Sequence, residues 1–221
     1  MIRKTLLSLL CMLTGIACFG QAFVHPGMLH TTSDLEFMKT KILANEEPWK
    51  EAWLQLRASD IASLNYAPTP FRVVDNGPYN RPDNGGKEFV RDGAAAYTMA
   101  LQWYVEGNEA YAEKAIEILN AWANTLDSVV NHNRQLKVST AGIKYLNAAE
   151  IIKYTYKGWK DKDRKAFEDM VINIWYPVIK DWVPRYNGNW DAANGQTMMC
   201  IGIFLDRRDI FDKACKQLTD G

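Results

Sequence analysis

The chain has 221 residues, 48% of them hydrophobic and 12% aromatic, with 26 basic side chains against 26 acidic ones. That length suits one domain with a sizeable core, or part of a larger one, and the composition excludes a disordered chain. The charge balance lacks the basic footprint of a nucleic-acid-binding protein, so an acidic partner would need a locally basic cleft.

The opening stretch "MIRKTLLSLLCMLTGIACFGQAF" has a basic start at Arg3 and Lys4, an apolar run from Leu6 to Cys18, and small residues after it. This pattern reads as a secretory signal peptide over residues 1–20, too short and wrongly flanked for a spanning helix. Cleavage before Gln21 leaves a domain of residues 21–221, expected to be periplasmic or secreted without stable membrane insertion. Lipid attachment at Cys18 is the rival, disfavoured by Gly15 where a lipoprotein signal wants a larger apolar residue. Cleavage would remove Cys11 and Cys18, and the remaining Cys200 and Cys215 read as buried thiols rather than a bridge. No cysteine and histidine spacing suggests a metal site, and the only histidines are His25, His30 and His132.

The predicted elements follow in order. "TSDLEFMKTKIL" opens with Thr32 or Ser33 as N-cap and an acidic first turn. "EPWKEAWLQLRAS" starts a helix at Pro48 and sets Trp49, Trp53 and Leu56 on one face. Residues 65–89 break the helical pattern with prolines, glycines and asparagines. They read as a long structureless connection carrying Arg72, Tyr79 and Arg81, and long loops in compact domains are often functional. "RDGAAAYTMALQWYVEG" and "NEAYAEKAIEILNAWANTL" then form an antiparallel helical hairpin about Gly107. In its second arm Tyr111, Ala115, Ile118, Leu119, Trp122 and Leu126 share a face. A linker with "NHNRQ" leads to a helix from about Ser139. Another follows with Phe167, Met170, Val171, Ile174, Val178 and Trp182 on one side, kinked or ended early by Pro177. "NWDAANGQTMMCIGIFLD" and "RDIFDKACKQL" complete the series. No strand alternation of any length is visible. The expected fold is all-α, an incomplete α/α toroid of antiparallel helical hairpins with about seven or eight helices.

One stretch resists that simple reading. In "RYNGNWDAANGQTMM" the spacing of Trp190, Ala193, Thr197, Ile201 and Phe204 starts a helix near Trp190, with Asn189 as N-cap and Asp191 favoured by the helix dipole. Asn194 and Gly195 are poor helix formers and together cost about 1–1.5 kcal/mol against alanine. Asn194 lies on the inward side, where a buried amide needs partners or a ligand. Such a polar floor at a helix N-terminus favours carboxylates.

Three blocks resemble the alginate lyase superfamily, secreted enzymes that cleave uronic-acid polysaccharides. They are "HPGMLHTTSDLEFMKTKILANEEPWKEAWLQL", "DGAAAYTMALQWYVEGNEAYAEKAIEILNAWANTL" and "NGNWDAANGQTMMCIGIFLDRRDIFDKA". The resemblance implies an α/α toroid with a cleft, an acidic polysaccharide substrate, and β-elimination without cofactor or metal. It places the carboxylate-neutralising asparagine at Asn187 or, in second place, Asn189. Trp190, Asn194, Tyr79 and Arg81 are the expected substrate contacts. Gly188 stands where better-known members carry histidine. The family's other catalytic residues fall beyond Gly221, so the chain is expected to be truncated and, in that form, to hold only part of the active site. Tyr79, Tyr186 and His132 are the substitutes for proton transfer within it. Two rivals stay open: a glycoside hydrolase using two of Asp75, Asp83, Asp92 and Asp191, and a non-catalytic glycan-binding helical protein.

Overall fold

The computed structural model describes residues 22–181 and 188–220, so the stretch read as a signal peptide lies outside the described residues. The first helix, α1 (Thr32–Leu43), is capped by Thr31, one residue before the first of the predicted caps. The Thr31 hydroxyl accepts from the Asp34 N–H at 3.2 Å while the Asp34 carboxylate accepts from the Thr31 N–H at 2.9 Å. This reciprocal box satisfies two otherwise orphaned donors. Helix α2 (Trp49–Ala58) follows Pro48, burying Trp53 and half-burying Trp49 and Leu56.

The expected structureless connection contains strands. β1 (Val73–Asn76) pairs antiparallel with β2 (Asp83–Asn84), matching Asp75 to Asn84, and parallel with β3 (Ser128–Val130), matching Val74 to Val129. Strands this short cannot display an alternating pattern, which is why the sequence hides them.

The remaining helices pack in two layers. α3 (Gly86–Glu106) turns through Gly107 at φ +70 into α4 (Glu109–Ala123), whose N-cap Asn108 accepts from the Ala110 N–H at 3.1 Å. Against α3 lies α5 (Arg134–Thr155). Tyr145 meets Gly93 near one end, and the Trp103 indole donates to Thr155 Oγ1 at 3.0 Å near the other, so the two run parallel. Next is α8 (Asn189–Phe204). Thr197 Oγ1 donates to the Ser139 carbonyl at 2.9 Å, and Lys153 Nζ to the Phe204 carbonyl at 2.9 Å, so α8 also runs parallel to α5. Each of these three helices is followed by an antiparallel partner. α4 follows α3. The run of α6 (Asp161–Met170), a π-helical stretch (Val171–Trp175) and α7 (Tyr176–Ile179) backs α5. α9 (Arg208–Asp220) lies on α8 through Leu218 near Gly195 and Phe211 near Gly202. The expected disturbance at Pro177 is real. Pro177 has no N–H to offer, and just ahead of it the Tyr176 N–H reaches back five residues to the Val171 carbonyl.

Phe89, Trp122, Tyr145, Trp175, Phe167 and Phe204 form the aromatic centre between the layers, with neighbouring centroids 4.9–5.9 Å apart. Asp92, one of the carboxylates open to a hydrolase, is buried beside it. It accepts from Tyr66 Oη at 2.6 Å, the Trp122 indole at 2.7 Å and the Thr69 N–H at 2.8 Å, which makes it a structural anchor. Cys200 is buried and Cys215 half-buried, both free thiols as expected. Among the described residues no helix is long and apolar enough to cross a membrane.

An N-terminal strap crosses the layers. Phe23 packs edge-on against Phe211 at 5.2 Å, and His25 stacks on Tyr154 at 4.2 Å. The His25 ring nitrogens face Glu150 Oε1 at 2.6 Å and Asp206 Oδ1 at 3.1 Å. Leu29 N–H donates to Asn147 Oδ1 at 3.1 Å, and His30 hydrogen-bonds Tyr97 Oη.

Candidate active site

Because α3, α5 and α8 run parallel, their N-termini share one end, and the small sheet lies there. Asn76 and Asp83 contact Gly86 at the start of α3, and Asn133 before α5 reaches Asn76. His132 packs its ring edge-on to Trp190 in the first turn of α8, with centroids 5.8 Å apart. Helix N-termini carry partial positive charge and outward N–H groups, so this end suits an anion.

The basic side chains here are unusual for their positions. The first turn of α5 holds no acidic residue, and Arg134 and Lys137 stand in or beside it. Arg81 is exposed on the loop between β1 and β2. Cations at a helix N-terminus oppose the dipole, so local stability does not account for them. Asp75 and Asp83 are each tied to an amide, Asp75 accepting from Asn131 at 3.0 Å and Asp83 from Asn76 at 2.8 Å.

The expected site residues fall as follows. Asn187 and Tyr186 lie outside the described residues. Asn189 is exposed and is not the N-cap. That position belongs to Gly188 at φ +99, ψ −124, a left-handed backbone open to glycine, so the asparagine becomes the first helical residue. Trp190 is half-buried against His132. Asn194 is 4% exposed, and its Oδ1 accepts from Ser139 Oγ across the α5–α8 contact. It therefore braces two helices instead of flooring an open pocket. Its Nδ2 has no partner among the described residues. Gly195 beside it has a packing role, since a Cβ there would stand 2.8 Å from Leu218 Cδ1 on α9. Tyr79 is 96% exposed, at φ +54 and ψ +27, on the same loop as Arg81.

The structure thus joins His132 to Trp190 and places the loop of Tyr79 and Arg81 at the same end. Sequence reading missed Asn76 and Asn133, which link that loop to α5. Their signal is visible in retrospect in "VVDNG" and "VNHNR", where amides cluster on either side of a turn.

Comparison with known families gives a match to the family described as alginate lyase over residues 36–221. Searches of curated proteins and of solved structures returned no match. The matched span takes in the sheet, the helical layers and the N-terminal end where His132 meets Trp190. By that match over most of its length, this chain belongs to the alginate lyase family.

Proposed function

We propose that this protein is a secreted or periplasmic polysaccharide lyase that cleaves alginate or a related uronic-acid polymer by metal-independent β-elimination. The paired layers, with α3, α5 and α8 inside, are read as part of an α/α toroid whose cleft opens at their N-termini. The observation that carries the reading is the gathering of three helix N-termini with Arg81, Arg134 and Lys137 at one end, where dipoles and cations favour a polyanion.

The reaction requires removal of the proton on the carbon next to the uronate carboxylate. A base takes that proton, negative charge spreads onto the carboxylate, the bond to the oxygen at the neighbouring carbon breaks, an acid gives the departing oxygen a proton, and a carbon–carbon double bond forms. Neutral donors suit this transition state because an amide N–H stabilises the growing charge with no counter-ion to desolvate. Asn187, or Asn189 in the first turn of α8, fills that role, with Trp190 forming an apolar face beneath the sugar ring. His132 is the within-chain group best placed for proton transfer, because it lies against Trp190.

The test is the product. Incubation with alginate or polyglucuronate is expected to release unsaturated ends, seen as rising ultraviolet absorbance, and saturated reducing ends alone would overturn elimination. Asn187→Ala and His132→Ala are each expected to lower kcat by about a hundredfold or more. Asp191→Asn is expected to leave most of the rate, whereas a hydrolase relying on that carboxylate would lose it.

A further inference from the structure

Between Asn76 and Asp83 the chain makes a short excursion that carries the two expected sugar contacts from the sheet. The Gly77 N–H donates to the Pro82 carbonyl at 2.9 Å, the Asn80 N–H to the Gly77 carbonyl at 3.1 Å, and the Arg81 N–H to the Pro78 carbonyl at 3.0 Å. Tyr79 and Asn80 are both left-handed, at φ +54 and +58. A tyrosine in that region is strained, and at 96% exposure no burial of its ring offsets the cost. Something else holds the excursion in shape.

Its base is fixed by side-chain amides. Asn133 Nδ2 donates to both Asn76 Oδ1 at 2.9 Å and the Gly77 carbonyl at 2.6 Å, while the Asn133 N–H donates to the Asn76 carbonyl at 3.0 Å. Asn76 Nδ2 then donates to Asp83 Oδ1 at 2.8 Å, so the network grips the excursion where it leaves the sheet and where it returns. Asn76 is 0% exposed and Asn133 9%. Gly86 makes room for the junction, since a Cβ there would stand 2.1 Å from Asp83 Oδ1. Asn133 also follows His132, which rests on Trp190. The amides therefore set the Tyr79–Arg81 excursion, while His132 is held separately, by its ring contact with Trp190 and by the Asn131 side chain, which accepts from its N–H at 2.7 Å.

We infer that Asn133 and Asn76 are positioning residues, and that through them the Tyr79–Arg81 excursion stands as a pre-formed wall of the substrate cleft. This rests on the lyase reading above. A pre-formed wall lowers the ordering cost of binding, so loosening it should weaken binding more than chemistry.

The direction of the Asn76–Asp83 bond supplies the test. Asn76→Asp sets two carboxylates against each other. Adding Asp83→Asn restores the bond with its donor and acceptor exchanged, while Asn133 Nδ2 still has an oxygen to reach. Two readouts are made on each protein: chymotryptic cleavage after Tyr79, and KM with kcat on a uronate polymer. Asn76→Asp is expected to speed cleavage after Tyr79 and raise KM by about tenfold each, with kcat within about twofold, and the pair is expected to return both toward wild type. Should Asn76→Asp fail to fold, Asn133→Ser removes the same grip from the other side and is read by cleavage and KM alone, because Asn133 adjoins His132. Unchanged cleavage, or no recovery in the pair, overturns the positioning role. Faster cleavage with KM unchanged overturns the wall. If the wild type yields no unsaturated product from any uronate polymer, the lyase reading fails, and the proteolysis readout still judges the amide network.

Discussion

At Asn194 the chain accepts a local cost that only the tertiary structure explains. The amide oxygen is matched by Ser139, but the buried Nδ2 has no partner among the described residues, and an unmatched donor costs about 1–3 kcal/mol. Replacing both members of such a pair by apolar groups of similar shape is often neutral or stabilising. The double change Ser139→Ala with Asn194→Leu is therefore expected to raise the melting temperature. If the amide is kept for the site at the head of α8, the same protein should lose lyase rate, the usual exchange between stability and function. A lower melting temperature would show that Nδ2 contributes to the fold. Burial of Asn194 was legible from its place on the inward side of the helix. Its attachment to Ser139 was not, because a contact 55 residues away leaves no local pattern. Asn189 shows the opposite failure. Asparagine is a strong capping type, but Gly188 in a left-handed conformation moved the helix boundary by one residue.

Among the elements, helices with a single apolar stripe were readable, and elements that depend on distant partners were not. The hairpin of α3 and α4 has both a stripe and a glycine turn, so its place was plain. Of the three short strands, β2 has only two residues, and β3 meets β1 from far along the chain, Val74 matching Val129. The strap at residues 22–31 lacks any periodicity, and its attachment is a buried electrostatic one. Glu150 is 1% exposed and faces His25, the Gly27 N–H and, farther off, Lys153, while Asp206 and Tyr154 complete the surroundings of His25. Burial raises the Glu150 carboxyl above its ordinary value, and His25, Gly27 and Lys153 offset part of that rise. A carboxyl raised in the folded state holds its proton more tightly there than in the unfolded chain. Its contribution to stability is thus greatest below the unfolded value and falls as pH rises through the window between the two. Glu150→Gln should remove that fall, so its stability relative to wild type should improve as pH climbs from about 4 towards neutrality. His25→Ala should widen the window and steepen the loss, because it removes the main offset. Urea denaturation across that range is the measurement. Parallel profiles for the three proteins would mean that Glu150 does not titrate within the folded state over this range.

At the scale of the whole molecule, the order of helices was legible and their layering was not. The inner helices α5 and α8 are buried on several sides, so neither shows a clear stripe, whereas α4 and α9 bury one face and look like surface helices. Layering is what puts three N-termini at one end, and it turns a neutral composition into a polar molecule. With 26 basic and 26 acidic residues the chain has no net field to draw in a polyanion, so attraction needs a local gathering of cations and helix N-termini such as this end provides. Among the described residues Arg81, Lys87, Arg134 and Lys137 are cations at this end, beside Glu88 and Asp191 in the first turns of α3 and α8, and Arg134 is already oriented by a bond from its Nη1 to the Asn131 carbonyl at 3.0 Å. Exposed charges are screened over about 8 Å at physiological ionic strength, while helix ends in a covered cleft are screened less. KM for a uronate polymer should therefore rise with added salt, with kcat nearly constant. Arg81→Gln with Arg134→Gln should raise KM at low salt and flatten its salt dependence. A matched pair at the other end of the same layers, Lys39→Gln with Arg57→Gln on α1 and α2, should leave the salt response as it was. If both pairs shift KM equally, attraction is spread over the whole surface, and the N-terminal end loses its claim to be where the polymer binds.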